Sequence, residues 1–222
     1  MSKQERAYQV IRERILGGVY GPGFRLVINQ LAREMGLSPI PVREAIRRME
    51  AEGLVLFNRN TGAVVAPMDP SAYVETLEAL AVIEGYATRV SAPHLGAPDL
   101  ARLRDINARM RQAMESLDFV SFGRLNREFH SAIYERCPNA YLVDMIRRAW
   151  QRMDQVRHST FGFIPGRARN SVEEHDLLVR ELEAGAPGEV IEELVREHKM
   201  NTMRYFREWA SRNLHAPAGP GA

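Results

Sequence analysis

All six histidines of this 222-residue chain lie beyond residue 68, and three of them stand in patterns that could hold a metal ion. His130 closes the run Asn126-Arg127-Glu128-Phe129-His130. Residues four apart share one helical face, so the Asn126 and His130 side chains are expected to meet. His175 follows Glu174 early in one expected helix, and His198 follows Glu197 in the last one. A site inside a helical bundle is built from residues on several facing helices, which is how these three are distributed. Three imidazoles and one amide oxygen suit a divalent ion such as zinc, nickel, cobalt, manganese or iron(II), without choosing among them. Glu128, Glu174 and Glu197 are offset by one or two positions from their histidines, so they are expected to point elsewhere and are not counted as ligands. Taken singly, each histidine is more often an ordinary core or surface residue, because a lone histidine is a weak signal.

A second stretch offers different chemistry. In Leu37-Ser38-Pro39-Ile40-Pro41-Val42-Arg43-Glu44-Ala45-Ile46-Arg47-Arg48-Met49, Ser38 can cap a helix and a proline suits its first turn. Val42, Ala45, Ile46 and Met49 then fall on one face, while Arg43 and Arg47 lie four apart on another. A short helix with a buried stripe and a basic edge fits the DNA major groove, and an ordinary surface helix with solvated arginines has the same pattern.

The flanks decide what positions this stretch. Tyr8 to Leu16 is amphipathic, and Leu26 to Met35 makes a second short helix closed by Gly36. Two short helices around a tight glycine-containing turn form a helix-turn-helix. Downstream, 54–57 and 62–66 read as two β-strands around the polar tip Asn58-Arg59-Asn60-Thr61, a basic wing.

With Gly21-Pro22-Gly23, Arg25-Leu26, Leu31-Ala32, Ser38-x-x-Pro41-Val42-Arg43-Glu44-Ala45-Ile46 and Glu52-Gly53-Leu54 in order, residues 8–66 resemble the winged-helix domain of GntR-family transcription regulators. The resemblance implies DNA contacts at Ser38, Arg43 and Arg47, with Arg33 and the wing residue Arg59 as further candidates. It departs from the family at Pro39 and Ile40, where relatives usually carry a basic residue and a threonine or serine. A contact at residue 39 is therefore expected to be missing.

Charge agrees with this placement. Residues 1–67 carry ten Lys/Arg against six Asp/Glu, while the whole chain has a net charge of only +2. A basic surface of this kind steers and positions DNA phosphates. One cysteine, Cys137, excludes an intrachain disulfide framework. No apolar run reaches membrane-spanning length and no signal-peptide core is present, so a cytoplasmic protein is expected.

Pro67-Met68-Asp69-Pro70 is the expected boundary between a winged helix-turn-helix domain, 1–67, and an all-α effector-binding and dimerisation domain, 68–214, followed by a disordered tail, 215–222. Beyond the boundary the pattern is helical: 70–91, a loop at 93–98, 99–117 capped by Asp99, 118–137, 139–158, an irregular link at 161–166, 171–184 and 187–213. The expected fold is mainly α, with a small β-hairpin wing and an antiparallel bundle of six or seven helices.

That bundle, with Asn126-x-x-x-His130, Glu174-His175 and a late His198, resembles the FCD effector domain of the FadR subfamily. The resemblance implies a divalent ion held by Asn126, His130, His175 and His198. Relatives that bind carboxylates commonly carry an arginine one turn before the glutamate matching Glu84, where this chain has Leu80 and Ala81. Arg148 and Arg152, four apart, are candidates to replace that clamp, and a solvated face explains them equally. Asparagine and three neutral histidines leave the ion's charge uncompensated, so a small organic acid is the expected effector.

The reading is a ligand-responsive transcription regulator and not an enzyme, a repressor by family habit. Two winged heads of a homodimer would read a pseudo-palindromic double-stranded operator. Two other classes fit less of the sequence. One is a metal-dependent, hydrolase-like helical enzyme, which lacks a placed general base. The other is a constitutive DNA-binding protein with a purely dimerising helical domain.

Overall fold

The computed structural model describes residues 2–16, 19–21, 23–58, 62–66, 69–156 and 165–213. Arg59 and the expected tail at 215–222 lie outside them. The described residues fall into two compact units, one of 2–69 with 154–156 and one of 70–153 with 165–213.

The first unit is a winged helix. α1 (Lys3–Leu16), α2 (Ile28–Met35) and α3 (Pro39–Ala51) precede β1 (Val55–Asn58) and β2 (Gly62–Val65), which pair antiparallel with Val55 opposite Val65. Apolar periodicity explains the core: Ile11 and Ile15 of α1, Leu31 of α2, and Ile46 and Met49 of α3 are all buried together. Gly36 makes the sharp turn between α2 and α3 at a φ of 65°, a left-handed conformation that glycine adopts without a Cβ clash. Ser38 does occupy the cap position of α3, yet its side chain makes no capping hydrogen bond. The reason lies in the sequence. A capping hydroxyl accepts from the second or third helical N–H, and the third residue is Pro41, which has none.

The second unit contains six α-helices among the described residues: α4 (Pro70–Ser91), α5 (Ala97–Glu115), α6 (Phe119–Tyr134), α7 (Ala140–Val156), α8 (Pro165–Glu183) and α9 (Gly188–Asn213). α5 starts two residues before the expected position, because Pro98 fits the first turn. Asp99 therefore stands inside that turn, where its carboxylate accepts from the Gly96 N–H at 3.0 Å. Asp118 does cap α6, accepting from the Ser121 N–H at 3.0 Å. The link expected at 161–166 ends early, since α8 begins at Pro165. Buried Arg167, Ala168, Ser171 and Val172 carry its inward face back beyond the expected start at Ser171.

Pairings fix the directions of these helices. Arg136 meets Asp99 and Arg102 meets Glu128, so α5 and α6 run antiparallel. Arg104 meets Glu183 and Arg111 meets Asp176, so α5 and α8 are also antiparallel. α6 and α8 consequently run parallel. α4 lies along α9 at close range, and a Cβ on buried Gly85 would stand 3.1 Å from the Glu192 carbonyl oxygen.

Candidate metal centre and nucleic-acid surface

The parallel course of α6 and α8 brings His130 and His175 face to edge, with ring centroids 5.1 Å apart. α9 adds His198, 5.0 Å from the His130 ring and 4.7 Å from the His175 ring. One ligand nitrogen from each ring lies within 4.8 Å of the others, and all three side chains are buried. Zinc–nitrogen bonds of about 2.1 Å place two ligand atoms at most ~4.2 Å apart, so small ring rotations close the set around an ion. Asn126 is buried one turn before His130, and its Oδ1 has no hydrogen-bond partner among the described residues. Both nitrogens of His175 are equally without one. Buried polar atoms are nearly always satisfied, so this concentration of orphaned polar atoms, with lone pairs on Asn126 Oδ1 and on one His175 nitrogen, fits a site for a cation. Three of the four residues singled out in the sequence, His130, His175 and His198, thus come together, and Asn126 is buried one turn before the first of them.

The surroundings tune each ring. The aromatic face of Phe129 stacks on His175 at 3.9 Å and fixes its plane. Burial first, then His198 and Arg167, hold the His175 imidazole well below the usual histidine range. Burial, Arg167 and Lys199 do the same for His198. Both are therefore neutral at physiological pH, the form that coordinates metal.

Two carboxylates orient the other rings. Glu174 points away from its neighbour His175, as its offset requires, but reaches across to α9, where the His198 Nδ1–H donates to its Oε2 at 2.6 Å. Glu84 Oε2 lies 3.4 Å from His130 Nδ1. A carboxylate on Nδ1 selects the tautomer that leaves the Nε2 lone pair free to bind a metal ion. Glu128 and Glu197 turn outward to Arg102 and Arg204.

Several functional groups here were missed in the sequence. Buried Arg167 donates to Glu174 at 2.6 Å, to Thr202 Oγ1 at 2.8 Å and to the His198 carbonyl at 3.0 Å. Its signal was the spacing Arg167, Ser171, His175, hidden by the late start assigned to that helix. Buried Lys199 pairs with Glu84 at 2.8 Å, and the Trp150 indole N–H donates to the other Glu84 oxygen. The expected arginines are elsewhere: Arg148 and Arg152 are exposed on α7 and paired with Asp144 and Glu75. Long exposed side chains on a polar helix face reach solvent, not the core, which removes them from the histidine site.

On the winged helix, Arg33, Ser38, Arg43 and Arg47 are all exposed, and none of the three arginines makes an ion pair among the described residues. Neighbouring Arg48 differs. It is tied to Glu5 and Glu52 and stacks 3.8 Å over the Tyr8 ring. Ile40, near the start of α3, is 67% exposed.

Residues 3–65 match the description "Bacterial regulatory proteins, gntR family", and residues 75–200 match the FCD domain. The HTH-type transcriptional regulator McbR of Escherichia coli (strain K12) is 29% identical over 175 residues, spanning 78% of this chain and 79% of that protein. The probable D-xylose utilization operon transcriptional repressor of Paenarthrobacter nicotinovorans is 28% identical over 175 residues, spanning 76% and 73%. The solved structure of E. coli McbR/YncC superposes with a TM-score of 0.74 at 25% identity, covering 94% of this chain and 98% of that one. These relatives are transcriptional regulators, not enzymes. No described helix is long and apolar enough to cross a membrane.

Proposed function

The chain belongs to the gntR family of bacterial regulatory proteins and carries an FCD domain, and we propose that it is a FadR-subfamily regulator whose DNA binding responds to a metal-anchored organic acid. Residues 1–67 are the DNA-reading part and 68–214 the effector-binding and dimerising part. The observation that carries the sensing role is the buried cluster of three imidazoles, together with the unpartnered Asn126 Oδ1 and His175 nitrogens among the described residues. Nothing in packing alone rewards that arrangement, because each unsatisfied buried group costs about 1–3 kcal/mol.

Asn126, His130, His175 and His198 hold the ion. A divalent metal bound there supplies a Lewis-acidic anchor for a carboxylate. The protein's own part is to keep two imidazoles neutral and to set ring orientation through Glu174 and Glu84. On the DNA side, exposed Arg43 and Arg47 of α3, with Ser38 and Arg33, contact the groove and its phosphates, and wing residue Arg59 adds a contact. A homodimer reads the two halves of a pseudo-palindromic operator. Repression is the favoured sign, because a named repressor is among the relatives.

The test uses a DNA fragment selected by the full-length protein from a random pool, with affinity followed by fluorescence anisotropy. Zinc with a carboxylate panel should change that affinity at least tenfold, and chelator should reverse the change. An affinity indifferent to both leaves a constitutive DNA-binding protein.

A further inference from the structure

The leading turn of α3 is built unlike the rest of that helix. It begins Pro39-Ile40-Pro41, with prolines in the first and third helical positions. The first turn of a helix ordinarily points open backbone N–H groups out of its end. Pro39 and Pro41 have none, so two of those donors are missing. What the turn presents instead is carbon: Pro39 and Ile40 are both exposed, Ile40 to 67%.

An exposed isoleucine is ordinary when taken singly. Its place on the helix gives it meaning. Residues three, four and seven positions further on share its face, and these are Arg43, Glu44 and Arg47, all exposed. The opposite face, with Val42, Ala45, Ile46 and Met49, is buried in the core of the winged helix. Ile40 thus leads the open face of α3, at the end from which a recognition helix contacts base edges.

The chemistry of the groove then selects its partner. Donors and acceptors on base edges need polar side chains, and an apolar group pressed against them leaves them unsatisfied. The apolar feature that the major groove does offer is the thymine 5-methyl group. Branching at Cβ restricts Ile40 to few rotamers in a helix, so it can meet that methyl with little loss of freedom. We propose that Ile40 is a specificity-determining residue that reads a thymine methyl in each operator half-site, ahead of the polar contacts of Arg43 and Arg47. This rests on α3 being the DNA-reading helix.

The experiment takes a duplex selected by the full-length protein from a random pool and replaces each thymine of one half-site in turn by deoxyuridine. That exchange removes the methyl group and keeps the base pair. Affinities are followed by fluorescence anisotropy for wild type, Ile40→Ala and Ile40→Val, with thermal midpoints measured on each. At one position the wild type should lose about fourfold, the factor for uncovering one methyl-sized group. Ile40→Ala should bind the thymine duplex more weakly and be indifferent to uracil at that position. It should keep the wild-type salt slope, because no phosphate contact is lost, and the wild-type thermal midpoint. Ile40→Val, which keeps the branched carbon, should restore most of the preference for thymine. Sequence-specific binding in which no uracil costs more than about twofold overturns the Ile40 reading alone. So does a uracil penalty that Ile40→Ala retains, since it then reports DNA shape and not this side chain. A protein that selects no sequence from the pool overturns the DNA-reading role of α3, and the thymine contact with it.

Discussion

Glu84 and Lys199 form a buried ion pair, Nζ to Oε2 2.8 Å, between α4 and α9, with side-chain exposures of only 2% and 3%. The same carboxylate accepts from the Trp150 indole and approaches His130. One side chain thus joins four helices, and α4 is the helix that follows the winged unit in the chain. An ion or ligand that shifts His130 acts on Glu84 directly. Removing one member of such a pair leaves an uncompensated buried charge, which costs about 3–5 kcal/mol. Glu84→Gln and Lys199→Met should each lower the urea midpoint accordingly, and the double variant should recover at least half of the loss. Single losses below about 1 kcal/mol contradict a load shared by these helices.

Arg47 and Arg48 are neighbours with opposite duties. Arg48 is spent on Glu5, Glu52 and the Tyr8 ring, while Arg47 is exposed and without an ion pair among the described residues. Arg47→Ala should weaken DNA binding and reduce the salt slope by about one unit, leaving the thermal midpoint unchanged. Arg48→Ala should lower the thermal midpoint and leave the salt slope alone. Equal effects of the two on the salt slope refute the division.

Tyr134 is buried on α6, and desolvation first, then the Glu84 charge, pushes its phenol up to about 12. The folded protein therefore favours the neutral phenol. The resulting stability is fully present below about pH 10, the usual tyrosine value, and is lost as pH rises through about 12. Absorbance at 295 nm, compared between wild type and Tyr134→Phe, should show this phenolate only near pH 12 or on alkaline unfolding. A Tyr134 phenolate appearing near pH 10 in folded protein rules the shift out.

Local rules were legible in the sequence wherever one helix supplied the whole pattern. Val42, Ala45, Ile46 and Met49 read as a buried stripe and are buried, and Asn126 with His130 read as one face and are both buried on α6. Choosing His175 and His198 depended on the likeness to the FCD domain, because three helices must pack before their rings meet. The Glu84–Lys199 and Glu174–His198 pairs were not legible, since each joins helices distant in sequence, and periodicity carries no information about partners. The Ser38 cap is unmade for a local reason: Pro41, the third helical residue, has no N–H to donate. Arg148 and Arg152 failed because spacing says which residues share a face, not which way that face turns.

The most direct measurement is the metal content of the full-length protein, purified without affinity tag or chelator, by plasma mass spectrometry. The account predicts about one equivalent of a single divalent transition metal, lost in His175→Ala while the fold persists by circular dichroism. It also predicts a thermal midpoint that falls on chelation, since saturation at 100-fold over Kd stabilises by about 2.7 kcal/mol. No metal, even after exposure to zinc, nickel and manganese, would contradict it and reduce Asn126, His130, His175 and His198 to a polar core, leaving the winged helix to bind DNA without a metal-anchored signal.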